Sequence, residues 1–69
     1  MVKSYKLIKQ DTTNKLKLGK VYLIKEFENC FGIVNTKEEK YQIVMYIITE
    51  WQLNNMFEEV KEDEIWSFK

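Results

Sequence analysis

Short runs of β-branched and aromatic residues recur along this chain, separated by polar turn sequences, and they limit what it can fold into. Tyr5-Lys6-Leu7-Ile8-Lys9 reads as a first strand. Asp11-Thr12-Thr13-Asn14 follows, a cluster whose side chains bond nearby backbone groups and favour turns. Leu16 and Leu18 alternate with Lys15 and Lys17, and Gly19 then marks a tight bend or a backbone position with φ > 0. Residues 20–28, with Val21-Tyr22-Leu23-Ile24 and Phe27, read as a second strand, and Glu28-Asn29 as a short turn. Residues 30–34 read as a third strand, 35–40 as a polar loop and 41–48 as a fourth strand.

The fourth segment carries two patterns. Val44, Ile47, Ile48 and Trp51 fit the i, i+3, i+4, i+7 spacing of a helix, so 41–58 could be one longer helix. The β-branched Ile43, Val44, Ile47, Ile48 and Thr49 lose rotamer freedom in a helix and favour a strand to Ile48. A short helix near residues 50–58 is expected next. Thr49 is its cap, Gln52 completes a capping box, and Leu53, Met56, Phe57 and Val60 form its apolar face. Residues 64–69 alternate enough to add a closing strand. The strand at 41–48 reads as apolar on both faces, Tyr41, Ile43, Met45 and Ile47 on one, Gln42, Val44, Tyr46 and Ile48 on the other. A strand with water on one side would not be, so the second face is expected to lie under the 50–58 helix or another copy of the chain. The fold class expected is all-β, a small SH3-like barrel of about five strands, curled to limit exposed edges. Residues 1–69 are read as a single small domain.

Composition removes most chemistry. The chain has 69 residues and contains no His, Arg, Pro or Ala and one Cys. A chain this short buries only about 60% of the surface its unfolded form exposes, so one small core carries the fold. Lone Cys30 cannot form an internal disulfide and reads as a small buried strand residue. Four-ligand N/S zinc sites and Ser-His or Cys-His nucleophile pairs lack their residues. No glycine-rich phosphate loop exists, so no metal and no cofactor is expected and the chain is read as not an enzyme. Adjacent carboxylates at Glu38-Glu39 and Glu58-Glu59 point apart on a strand or loop and read as solvated faces. The longest apolar run, residues 43–48, is far too short to span a bilayer, which needs about 20 residues. A free thiol without an apolar leader fits a cytoplasmic setting.

Several of these segments together resemble a known set of proteins. Tyr5-Lys6-Leu7-Ile8-Lys9, Asp11-Thr12, Leu18-Gly19-Lys20-Val21-Tyr22, Ile33-Val34-Asn35 and Phe57-Glu58-Glu59-Val60 occur in an order similar to that of small SH3-like proteins of Firmicutes and their phages. The resemblance spans residues 5–60, and the chain departs from it in having no Pro before Phe57. It implies an SH3-like fold and a phage or mobile-element setting, and no activity.

Net charge is zero, yet residues 1–25 carry net +6 and residues 26–69 net −6. Such asymmetry marks either a charged docking face or two ends that pair within the fold. Ten aromatics exceed what a core of this size needs, and Tyr and Trp are the usual interface anchors. The expected function is therefore non-enzymatic protein binding, and the resemblance to phage proteins implies phage-encoded inhibition of a host or defence protein as its concrete form. The expected contact residues are Tyr46, Trp51, Glu62, Asp63, Glu64, Trp66 and Phe68, an acid-and-aromatic set suited to a basic protein surface such as that of a host enzyme. Strand 41–48 offers a route to a homo-oligomer. The alternative is a nucleic-acid-associated accessory protein using the Lys-rich N-terminal strands. Without Arg it lacks bidentate base and phosphate recognition, and the late acids repel a phosphate backbone. No membrane partner is expected.

Overall fold

The computed structural model describes residues 2–10 and 15–61. The chain is mostly β: β1 Val2–Leu7, β2 Val21–Glu26, β3 Phe31–Val34, a 3-10 turn Glu39–Tyr41, β4 Val44–Ile48, α1 Glu50–Met56 and β5 Phe57–Glu59. The strands form one antiparallel sheet in the order β4-β3-β2-β1-β5. Among the described residues the sheet is not closed, and β4 and β5 are its two edges. The long connection expected after β1 is present, and so is the helical segment after β4.

Alternation along the strands builds the core. Leu7 on β1, Ile24 on β2, Ile33 on β3 and Ile48 on β4 are almost completely buried on one face of the sheet. Each contributes roughly 1.5–3 kcal/mol by leaving water. Leu53 and Met56 of α1 and Phe57 of β5 close this layer, with Tyr5, Tyr22, Phe31 and Tyr46 packed around it. The Tyr22 and Phe57 rings meet edge to face with centroids 6.4 Å apart. Leu16, from the long β1–β2 connection, is also buried there. Its neighbours hold that connection down, since Gln10 Nε2 donates to the Leu16 carbonyl at 3.3 Å and the Lys17 N–H to Tyr22 Oη at 2.8 Å. The connection re-enters the sheet through a turn in which the Lys20 N–H donates to the Lys17 carbonyl and Gly19 sits at φ 85°. That dihedral favours glycine.

The opposite face has its own small cluster. Phe27 folds back after β2, and the Cβ that Gly32 lacks would lie 2.8 Å from its ring and 3.0 Å from Val44 Cγ1. Lys25 Nζ lies 5.5 Å from the centre of the Phe27 ring and donates to Gln42 Oε1 at 3.0 Å. Glu39 Oε1 is 3.9 Å from the same ammonium. The β3–β4 connection is thereby tied to β2.

Boundaries moved where tertiary hydrogen bonds outweighed local pattern. The first strand begins at Val2 and ends at Leu7, because the Ile8 and Lys9 N–H groups both turn to the Met56 carbonyl. The fourth strand begins at Val44 and not at Tyr41. Asn35 accepts from the Ile43 N–H at 2.6 Å and donates to the Tyr41 carbonyl, so these backbone groups leave the ladder. The capping box at Thr49 and Gln52 forms as expected, with bonds of 3.1 and 2.8 Å. The helix then stops at Met56, short of 58. Phe57 lies opposite Leu7 and the Val60 N–H donates to the Ser4 carbonyl, so pairing with β1 extends this stretch and takes it out of the helix. Cys30 is half-buried in the turn before β3, outside the strand. That turn is closed by the Phe27 N–H to the Cys30 carbonyl around Glu28-Asn29. The expected closing strand at 64–69 lies outside the described residues.

Candidate protein-interaction surface

β4 is both an edge and an apolar one. Ile43, Met45 and Ile47 are 63, 60 and 56% exposed, while Ile48 is 1% exposed. The register explains the split. Ile48 pairs with Phe31 and Tyr46 with Ile33, which turns both toward the core, whereas Ile47 pairs with Gly32 on the outer face. Met45 has no partner because the register shifts between Ile33 and Val34. The face expected to be covered, that of Val44, Tyr46 and Ile48, is therefore split by this irregularity: Ile48 is buried, Tyr46 half-buried and Val44 exposed. No charged side chain occurs in residues 41–49; Lys40 precedes the run and Glu50 follows it.

Charge is sorted along the length of β2. At its C-terminal end Glu26, Glu28 and Glu50 line one hollow with Phe27, Asn29, Cys30 and Phe31. At its N-terminal end Lys15, Lys17 and Lys20 line another with Leu16, Tyr22 and Met45. Lys20 Nζ lies 5.3 Å from the centre of the Tyr22 ring. The acidic and basic hollows thus lie at opposite ends of β2, with Lys3 also beside Glu26 at the acidic end. Elsewhere the opposite charges of the two halves meet. Glu58 sits opposite Lys6 across β1 and β5, and Glu39 lies near Lys25. The expectation that the two halves pair within the fold therefore holds for these residues.

The hollows are open and about 180–320 Å³, at or below the lower end for small-molecule pockets, roughly 300–1,000 Å³. Among the described residues, no group of three carboxylate or thiol side chains could hold a metal ion, and no helix is long and apolar enough to cross a membrane.

The expected contact residues separate. Trp51, on the first turn of α1, is 66% exposed and directly follows Glu50 of the acidic hollow. Tyr46 is half-buried against the core. Glu62, Asp63, Glu64, Trp66 and Phe68 lie outside the described residues. Sequence reasoning missed Glu26 and Glu28 as companions of Glu50, which is more than 20 positions away in the chain. The β2–β3 hairpin and the end of β4 bring them to one hollow, and no local pattern signals it. Comparison with protein-family models, curated proteins and solved structures gives no match.

Proposed function

We propose that this chain is a small non-enzymatic protein-binding module with an SH3-like architecture, and that it acts as a phage-type inhibitor by occupying a basic surface of a host or defence protein. The strand order, the long β1–β2 connection and the helical segment before β5 support the architecture. The sequence resemblance supports the setting. The observation that carries the binding reading is Trp51, an exposed indole on the first turn of α1 that directly follows Glu50, a residue lining an acidic hollow with Glu26 and Glu28. An indole supplies a large, stiff contact area, and acids around it steer a basic partner and reject an acidic one. The acids and aromatics of residues 62–68 belong to the same reading by sequence.

The test is capture of a partner from host lysate followed by titration with variants. Trp51→Ala is expected to weaken binding by more than about tenfold, chiefly through faster dissociation. Glu26→Lys with Glu28→Lys is expected to slow association and flatten its salt dependence. Wild-type affinity in both variants would refute the surface.

A second reading has its own observation. Lys15, Lys17 and Lys20 gather around Tyr22 and Met45, which places cations beside an aromatic ring as nucleic-acid binding requires. Tyr22 is half-buried and its hydroxyl accepts from the Lys17 N–H, so its face is less open to a base than Trp51 is. Binding to single-stranded oligonucleotides that weakens steeply with salt, and is lost on changing these lysines, would favour this reading.

A further inference from the structure

We infer that β4 pairs with β4 of a second copy of this chain, antiparallel and about a two-fold axis, to make one continuous sheet. An edge strand presents unpaired N–H and C=O groups to any strand that can approach, and natural edges carry charges or Pro to prevent it. β4 carries neither. Its exposed side chains Met45 and Ile47 are apolar, and the whole run 41–49 is uncharged.

Charge selects the occupant and its direction. β4 runs parallel to β2, so its start lies at the basic end, where Met45 borders the hollow of Lys17 and Lys20. Its end leads into Glu50 at the acidic hollow with Glu26 and Glu28. An antiparallel copy sets the basic end of one chain beside the acidic end of the other, twice by symmetry. A parallel copy sets like against like. These charges are exposed and screened over about 8 Å at physiological salt, so they orient the pair more than they hold it. Backbone bonds and the merged Met45 and Ile47 strips hold it.

The contact closes. Among the described strands, a two-fold uses the same edge of both chains and leaves the β5 edges, which carry Glu58 and Glu59 and would repel one another. Trp51 lies on α1, outside the paired strand, so the inference stands apart from the partner surface proposed above.

Sedimentation equilibrium of the full chain tests it. A monomer–dimer equilibrium is expected, with Ile47→Lys and Met45→Lys each raising its dissociation constant by about tenfold or more. Both side chains are more than half exposed, so circular dichroism and the unfolding midpoint of the monomer are expected to stay unchanged. Lys17→Glu with Lys20→Glu is expected to weaken the dimer by about threefold at low salt, and adding Glu26→Lys with Glu28→Lys to restore it. Trp51→Ala is expected to leave self-association unaltered, which separates a failed dimer from a failed partner site. Three results would each overturn the inference: a chain monomeric to about 1 mM, a dimer indifferent to both β4 variants, or growth into open-ended oligomers.

Discussion

The two edges of this sheet are built to opposite rules. β5 is three residues long, Phe57–Glu59; one of its residues is buried and the other two are exposed glutamates. β4 is five residues long, uncharged, and exposes Met45 and Ile47 while burying Ile48. Short length and charge are the ordinary means by which an edge avoids joining other strands. β5 has both and β4 neither. The chain thus protects its β5 edge by length and charge and leaves its β4 edge apolar and uncharged.

Adjacent residues of β4 give the largest contrast. Ile48→Ala is expected to destabilise the fold by about 2–5 kcal/mol, because it opens a cavity beside Leu7, Ile24 and Ile33. Ile47→Ala is expected to change stability by less than about 0.5 kcal/mol, as a surface substitution. Denaturant unfolding of both variants checks this. The net stability left to a domain this small after conformational entropy is only about 3–5 kcal/mol, so the first variant is expected to be largely unfolded. Equal effects would mean that β4 does not present one face inward.

The link from β4 to β5 comes next. Thr49 caps α1 by accepting from the Gln52 N–H, and α1 carries the chain from one edge of the sheet to the other. Thr49→Ala is expected to lower stability by about 1 kcal/mol, while Thr49→Ser or Thr49→Asp keeps most of it. Thermal unfolding of the three variants orders them.

The smallest effect belongs to the charged edge. Glu58 faces Lys6 across β1 and β5. Glu58→Lys is expected to weaken the fold by about 0.2–1 kcal/mol through a like-charge cross-strand pair. Glu58→Thr with Glu59→Val is the sharper variant, since it makes β5 resemble β4. It is expected to leave the fold intact and to turn closed association into larger species, seen by light scattering.

Local chemistry was legible in the sequence. Strands at β1, β2 and β3, the Glu28-Asn29 turn, the strand ending at Ile48 and the Thr49–Gln52 capping box all stood in short-range pattern, because each depends on neighbours within a few positions. Gly19 was readable as a positive-φ turn for the same reason. Tertiary structure decided the rest. Phe57 and Val60 have helical spacing with Leu53, yet the backbone bonds offered by β1 drew this stretch into a strand. Tyr41 and Ile43 look like strand residues, yet the Asn35 side chain captured the Tyr41 carbonyl and the Ile43 N–H, and the Tyr41 N–H turned to the Glu38 carbonyl. Which face of β4 lies buried depended on the register with β3, and a one-residue irregularity there reassigns every side chain beyond it. The acidic and basic ends depended on which loops share an end of the sheet. A single sequence records local preference, whereas competition for backbone partners and the meeting of distant charges exist only once the chain has folded.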